Sequence, residues 1–199
     1  IISYGFDNNA DGKIISYNFF DQGSSFTLTL QNKLQNKSEE NYYHFSSKLY
    51  GKHNILNLAG AIVMALINDC KMQDIILGVN NFNGIKRRFS NLGLFREMTV
   101  IDDYAHHPVE VKASLEIANI VKRPTGKLIA VLQPHRYTRF KMLLKDFVEV
   151  IANSNVDKLI VLDIFPAGEK ETFNLHSSHL VNLSLSHNID AEYAQDYQS

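Results

Sequence analysis

Hydrophobic and polar positions divide the chain into a first part rich in predicted strands and a later part in which strands and helices alternate. Segments rich in β-branched and aromatic residues predict strands over 13–20, 25–31 and 42–49. The polar segment 32–41 between the last two predicts a hairpin loop. The start of the chain is therefore expected to be rich in β-hairpins.

The pattern changes after Gly51 to the spacing of an amphipathic helix. The apolar positions that recur at this spacing are Ile55, Leu58, Ala59, Ile62, Val63, Leu66 and Ile67. A second, shorter helix is predicted over about 73–82. The basic segment 84–93 has glycine at both ends, which is typical of a linker, and we expect a domain boundary there.

The rest of the chain alternates regularly. Apolar strands are predicted over 98–102, 127–133 and 158–164, and helices over 108–122 and 140–151. This order, with nearly continuous apolar strands, is typical of an α/β domain with a parallel sheet. Ligands bind at the carboxyl ends of the strands in such sheets, so the residues after each strand are the first candidates for a site.

The composition is that of an ordinary globular protein. Of 199 residues 45% are hydrophobic and 21% are charged, with a formal net charge of −1; this excludes intrinsic disorder and argues against nucleic-acid or anionic-membrane binding. The one cysteine, Cys70, builds no disulfide framework, fits a reducing compartment and is predicted, like Phe140 and Phe147, to lie in the core. The chain begins at Ile1 without an initiator methionine, so we expect a piece of a longer protein.

Polar and reactive side chains are concentrated after the three predicted parallel strands, and parallel topology places them on one edge. They are Asp102, Asp103, Tyr104, His106 and His107 after the first strand, Gln133, His135, Arg136, Tyr137, Thr138 and Arg139 after the second, and Asp163, Pro166, Gly168 and Glu169 after the third. Arg136 and Arg139 lie at i and i+3 at a predicted helix start. Two guanidinium groups and a helix N-terminus together suit a carboxylate or a phosphate.

Some of these residues also have a structural interpretation. His106 and His107 precede a helix and suit its cap. With Asp102, Asp103 and His135 they are also candidate metal ligands, although their spacing does not match a helical i, i+4 ligand pair.

The same holds for candidates in the earlier segments. Asn54 and Asn57 suit a helix start, and Arg87 and Arg88 suit solvated linker charges as well as a phosphate contact. Neither G-x-x-x-x-G-K-[S/T] nor G-x-G-x-x-G occurs, so the chain contains no complete phosphate-binding loop.

Five short motifs follow one another along nearly the whole chain. They are G-K-H-N-I-L-N at 51–57, F-N-G-I-K-R-R-F at 82–89, D-D-Y-A-H-H-P at 102–108, Q-P-H-R-Y-T-R at 133–139 and P-A-G-E at 166–169. In this order and at compatible spacing they resemble the Mur ligase family of bacterial cell-wall synthesis. The last two motifs are most similar to those of the alanine-adding members, and residue 105 is alanine where the family often has glycine.

The resemblance implies an α/β fold in two parts. Residues 1–86 would be the C-terminal part of the central ATP-binding domain, with β-rich hairpins and helices. Residues 87–199 would be most of a Rossmann-like C-terminal domain with a parallel sheet. The family's phosphate loop and magnesium ligands are expected upstream of Ile1, and its last strand and helix after about Ser199, so the chain alone is expected to be inactive.

The implied reaction joins L-alanine to UDP-N-acetylmuramate in peptidoglycan biosynthesis. ATP phosphorylates the muramoyl carboxylate and the amine then attacks the acyl phosphate, because a carboxylate needs a leaving group before it becomes a good electrophile. The expected partners are these small molecules, with ATP and Mg²⁺, in the cytoplasm and without nucleic acid or membrane; the oligomeric state stays open. The alternatives are another Mur-type ligase, such as the murein-peptide recycling ligase, or a non-catalytic nucleotide- or anion-binding module.

The resemblance also assigns roles to residues on the ATP side. Asn54 and Asn57 would contact the adenine, and Asp103 would hold the ribose hydroxyls. Arg88 would approach the ATP phosphates, and Arg88 and His106 are the expected catalytic residues.

On the amino-acid side, Arg136 and Arg139 would bind the alanine carboxylate. Tyr104, His106 and His135 would complete that site. No metal ligand is expected within the chain.

Overall fold

The computed structural model describes residues 1–20, 23–31, 34, 41–171 and 173–195, and the described chain divides into two compact units, Ile1–Lys86 and Arg87–Ser199. The predicted loop over 32–41 lies outside the described residues except for Leu34 and Asn41. The basic segment 84–93 spans the division between the units. Its last residues are not a linker as predicted, because a strand begins at Ser90.

The first unit is a sheet of four strands covered by two helices. The strands are β1 (Tyr4–Gly5), β2 (Gly12–Phe20), β3 (Gly23–Leu30) and β4 (Asn41–Ser47), and the helices are α1 (Lys52–Ile67) and α2 (Met72–Asn81). The strand order follows the chain; β1 pairs parallel with β2, and the other pairs are antiparallel. The predicted strands and both helices of this part are confirmed.

Helix α1 buries the apolar stripe that the sequence predicts as far as Val63, whereas Ile67 at the end of the helix is exposed. Ile55, Ala59 and Ile62 are fully buried and pack with Phe26 and Leu28 of the sheet. The prediction for Cys70 is wrong, because α1 ends at Ile67 and the chain turns through residues 68–69, which leaves this thiol exposed.

The second unit begins with a hairpin and continues as an α/β layer. The hairpin strands are β5 (Ser90–Phe95) and β6 (Met98–Asp102). They are followed by α3 (Pro108–Val121), β7 (Ile129–Leu132), α4 (Tyr137–Ala152), β8 (Lys158–Val161), α5 (Ser178–Ser186) and β9 (Ala191–Tyr193). Strands β7, β8 and β9 form a parallel sheet in that order, and its core includes the predicted Phe140 and Phe147.

The predicted parallel pairing of 98–102 is wrong. In the structure β6 pairs antiparallel with β5. Arg96 and Glu97 form a two-residue connection with φ values of 45° and 66°, and two left-handed residues are the geometry of the type I′ turns that join adjacent strands. The sequence Arg-Glu is not the usual chemistry of that turn, so the hairpin was not predicted. The third parallel strand is β9, for which no strand was predicted.

Candidate functional site

The loops after β7 and β8 are joined to each other beyond the ends of their strands. His135 and Phe165 form a parallel bridge. The N–H of Arg136 donates to the carbonyl of Phe165 at 2.8 Å, and the N–H of Phe165 donates to the carbonyl of Pro134 at 2.8 Å. The prediction that the residues after these two strands share one edge is therefore confirmed.

A column of rings brings the loop after β6 to the same edge. Ring centroids lie 4.9 Å apart for Tyr104 and His106, 5.1 Å for His106 and His135, and 5.4 Å for His135 and Phe165. The three loops therefore meet through side chains, although β6 belongs to the hairpin and not to the parallel sheet. Tyr104, His106 and His135, predicted to belong to one site, lie in contact.

His106 has a defined tautomer. Its Nδ1 lies 2.7 Å from the carbonyl oxygen of Tyr104, which only accepts, so Nδ1 carries the proton in the neutral ring. The carboxylate of Glu110 lies 3.6 Å from the same nitrogen. Nε2 is therefore the basic nitrogen of this imidazole and can accept a proton from a ligand.

Two buried polar atoms at this edge have no hydrogen-bond partner among the described residues. They are Nδ1 of His135 and Nη1 of Arg139. Buried polar groups are nearly always paired in folded proteins, so these two atoms mark a place where an additional polar group fits. Burial lowers the pKa of His135, and the positive charges of His106, Arg139 and Arg136 lower it further, so the ring is neutral at neutral pH.

Arg136 follows His135 in the chain and contacts a carboxylate of the next loop. Its Nε donates to Oε1 of Glu169 at 2.8 Å. Glu169 also accepts from the N–H of Thr138 at 3.0 Å and from the Thr138 hydroxyl at 2.6 Å. The two bonds from Thr138 and the nearby Arg136 guanidinium lower the pKa of Glu169 to about 2. The carboxylate is thus ionised under ordinary conditions.

Glu110 is a residue that the sequence reasoning missed. It accepts from the N–H groups of His106 at 3.1 Å and His107 at 3.3 Å, and its Oε1 lies 3.9 Å from Nη1 of Arg88. Burial opposes ionisation of Glu110, but these N–H groups and the charges of His106 and Arg88 outweigh it and lower its pKa. Glu110 therefore joins the two predicted catalytic residues. The available signal was the H-x-x-E pattern of a capping box at the start of α3.

The capping interpretation of the histidine pair holds for one of its members. His107 is the N-cap of α3, and its Nδ1 accepts from the N–H of Val109 at 3.3 Å. His106 instead belongs to the ring column. The two adjacent histidines thus have different roles, because His107 is the N-cap of α3 and His106 lies just before it.

Asp103 organises the entry to the second unit. Its Oδ2 accepts from the N–H of Phe89 at 3.1 Å and from the Ser114 hydroxyl at 2.8 Å, and its Oδ1 accepts from the N–H of Ala105 at 2.9 Å. An ionised carboxylate offers about four acceptor positions. The chain's own donors take three of them, which leaves room for a ligand hydroxyl.

The segment before β5 is held in a left-handed conformation. Arg87 and Phe89 have φ values of 59° and 50°. The carbonyl of Arg87 accepts from the N–H of Tyr104 at 2.9 Å. The Arg87 guanidinium lies 4.9 Å from the centroid of the Tyr104 ring, and its Nε lies 3.6 Å from Oδ2 of Asp102. Arg87 is therefore part of the local structure, whereas Arg88 points its charge toward Glu110 and is more than half exposed.

Asn54 and Asn57 belong to the first unit, on helix α1. The N-cap of α1 is Gly51, and the prediction that Asn54 lies at the start of a helix is confirmed. Asn54 lies in the first turn, where its Nδ2 donates to the carbonyl of Tyr50 at 2.8 Å. Asn57 is exposed on the same helix.

The alternative of a metal centre is not supported by the side-chain geometry. Within the described ranges, no group of three or more His, Cys, Asp or Glu side chains converges on a common point. His106 and His135 contact each other as a tilted ring pair, with centroids 5.1 Å apart. None of the helices in the described part of the chain has the length and apolar character needed to span a membrane.

Comparison with known proteins shows similarity to one family of ligases. A family model described as "Mur ligase, glutamate ligase domain" matches residues 87–196. UDP-N-acetylmuramate–L-alanine ligases from Rickettsia felis and Rickettsia canadensis are each 38% identical over 184 residues, which are 92% of this chain and 38% of each relative. The chain thus spans well under half of the length of these relatives.

Solved structures show the same fold. The UDP-N-acetylmuramate–alanine ligase of Thermotoga maritima superimposes with a TM-score of 0.77 at 20% identity, over 98% of this chain and 39% of that one. A murein peptide ligase from Psychrobacter arcticus matches with a TM-score of 0.60 at 19% identity, over 98% of this chain and 38% of that one. The family match covers more than half of the chain, including every loop of the ring column, and the chain therefore belongs to the Mur ligase family.

Proposed function

We propose that this chain forms part of an ATP-dependent ligase that joins L-alanine to UDP-N-acetylmuramate in peptidoglycan synthesis. The observation that carries the proposal is a pair of buried atoms, Nη1 of Arg139 and Nδ1 of His135, that have no hydrogen-bond partner among the described residues, with Arg136 near enough for its charge to lower the pKa of His135. The names of the Rickettsia relatives, at 38% identity over 92% of the chain, support the choice of substrate.

Arg136 and Arg139 are the proposed ligands of the alanine carboxylate. They lie at i and i+3 at the start of α4, where the positive end of the helix dipole favours an anion. A carboxylate placed there would give Arg139 Nη1 the acceptor that it lacks. A neutral His135 ring that carries its proton on Nδ1 can donate to the same anion, so the ring does not have to gain a proton when the ligand binds.

His106 is the proposed proton acceptor for the amino group. The ammonium of alanine must lose a proton before its nitrogen can attack an acyl carbon, and Nε2 of His106 is the basic nitrogen in the tautomer set by the Tyr104 carbonyl. Tyr104 completes the proposed pocket through its ring contact with His106.

The proposed ATP contacts are the ones that the family resemblance implies. Asn54 and Asn57 would contact the adenine, Asp103 the ribose hydroxyls through its remaining acceptor position, and Arg88 the phosphates. Phosphorylation of the muramoyl carboxylate supplies the leaving group for amide formation, and cationic side chains such as Arg88 offset the charge that develops on the transferred group. The first unit, 1–86, would then belong to the ATP-binding domain and the second, 87–199, to the Rossmann-like C-terminal domain.

The test is a kinetic comparison in the complete gene product. Loss of a charge-assisted hydrogen bond costs about 1.5–3 kcal/mol, so Arg136→Ala should raise the KM for L-alanine by about 10- to 100-fold and change the KM for ATP little. Lys145→Ala, which removes an exposed cation from the same helix, is the matched control. An alanine KM that is unchanged in Arg136→Ala contradicts the assignment. ATP binding without any ligase activity would favour the non-catalytic module.

A further inference from the structure

Glu169 lies in the loop after β8 and meets three donors from the start of α4. They are Nε of Arg136 and the N–H and hydroxyl of Thr138, at distances between 2.6 and 3.0 Å. Its side chain is only 15% exposed, whereas that of Arg136 is 48% exposed. The carboxylate is therefore held in place by the protein, and the guanidinium is the part of the pair that a ligand can reach.

Helix α4 begins without the usual N-cap. Its N-cap residue is Arg136, which has φ 69° and ψ 129° and caps no helix N–H with its own side chain. Non-glycine residues rarely adopt positive φ, so this backbone requires support from its surroundings. Glu169 provides it by accepting the Thr138 N–H in place of a cap and by holding the Arg136 side chain with the same group.

The contact with Glu169 uses one side of the Arg136 guanidinium and leaves the other side available to a ligand. Arginine has one N–H on Nε and four on its two Nη atoms. Because Nε donates to Glu169, the Nη1–Nη2 edge is the one left for a bidentate contact with a second carboxylate. The negative charge of Glu169 disfavours an anion nearby, so its contribution to ligand binding has to be geometric.

We propose that Glu169 is a positioning residue of the ligase: it fixes the Arg136 guanidinium by its Nε edge so that the Nη edge binds the carboxylate of the amino-acid substrate. This inference rests on the proposed function, since it requires Arg136 to bind that carboxylate. It assigns a role to the P-A-G-E motif, which the proposed site did not use.

The test compares Glu169→Gln with Thr138→Val in the complete gene product. Glutamine is neutral and keeps one acceptor oxygen. At the Oε1 position that oxygen accepts from Arg136 without charge assistance, and at the Oε2 position the N–H₂ group faces Arg136, so the contact that holds the guanidinium is weakened in either case. Valine at 138 removes only the hydroxyl contact and leaves the Arg136–Glu169 pair intact. The KM for L-alanine, the KM for ATP and the urea midpoint are measured for both variants, and for Glu169→Asp if the glutamine variant does not fold.

Glu169→Gln is expected to raise the alanine KM about tenfold, as small displacements of a binding group do, with the ATP KM within about twofold of wild type. Thr138→Val is expected to lower the urea midpoint while leaving the alanine KM unchanged. Adding Glu169→Gln to Arg136→Ala should produce no further change in the alanine KM, because the residue acts through Arg136.

Two results would overturn the inference. One is an unchanged alanine KM in the folded Glu169 variant. The other is an equal rise in Glu169→Gln and Thr138→Val, which would make Glu169 a helix cap only. A normal alanine KM in Arg136→Ala is a separate result, because it refutes the proposed function itself.

Discussion

Asp103 gives the sharpest stability prediction, because three donors from three segments converge on its two oxygens. Asparagine at this position has one acceptor oxygen. If that oxygen takes the Oδ2 position it keeps Phe89 and Ser114, but its N–H₂ group then faces the N–H of Ala105. One charge-assisted bond is lost and one backbone donor is left without an acceptor, so Asp103→Asn should destabilise the second unit by about 2 kcal/mol.

Ser114 allows the same network to be tested without changing the carboxylate. Ser114→Ala removes the 2.8 Å hydroxyl bond and should cost about 1 kcal/mol. In the double variant with Asp103→Asn the two costs should fall short of adding, because Ser114 then donates to a neutral amide oxygen, and that bond contributes less than the one to the carboxylate. A coupling free energy of about 0.5 kcal/mol is expected from the double-mutant cycle.

The assay combines urea unfolding of the 199-residue chain with amide hydrogen exchange, which locates the effect within the second unit. In Asp103→Asn the amide of Ala105 should exchange faster. Asp102→Asn is the control: Asp102 pairs with Arg87 at 3.6 Å near the surface, and such a pair contributes at most about 1 kcal/mol. Equal costs for the two asparagine variants, or unchanged exchange at Ala105, would refute the reasoning.

Three further outcomes are expected. The folded state lowers the pKa of His135 below 6.5, so the unfolded chain binds the proton first as the pH falls, and the free energy of unfolding should decrease below about pH 6.5. His135→Gln should make that free energy, measured by urea titration, less dependent on pH. Replacing Arg96-Glu97 by Asn-Gly, the preferred type I′ pair, should stabilise the hairpin by about 0.5–1 kcal/mol, seen as slower amide exchange in β6; a destabilised hairpin would contradict that turn assignment. The side chain of Phe147 is 1% exposed, so Phe147→Ala should lower the free energy of unfolding by about 3–5 kcal/mol. A decrease below about 1 kcal/mol in thermal unfolding would exclude a core position.

Sequence reasoning succeeded where a single element carries its own signal. The stripe from Ile55 to Ile67 repeats at helical spacing, and Pro108 starts α3 as proline does at a first helical turn. Parallel strands bring their carboxyl ends to one edge, so the meeting of the loops after β7 and β8 followed from the order of elements alone.

It failed where the outcome depends on contacts between distant segments. Glu169 meets Thr138 across 31 positions of sequence, so nothing local marked it as the support for Arg136. β6 pairs with β5 in a hairpin instead of joining the parallel sheet, because Arg96 and Glu97 form a left-handed turn although neither is glycine. The exposure of Cys70 depended on where α1 ends, and helix ends are poorly defined by hydrophobic pattern.

The sequence by itself determined most of the helices and strands, the buried faces of the helices and the residue types available at the strand ends, since hydrophobic period and motif order are local properties. Only the tertiary structure decided which donor meets which acceptor. It paired Glu110 with Arg88 and His106, placed three donors on Asp103, and left Nη1 of Arg139 buried with no partner in the described part of the chain. These arrangements depend on distances and directions between loops, which side-chain identity does not specify.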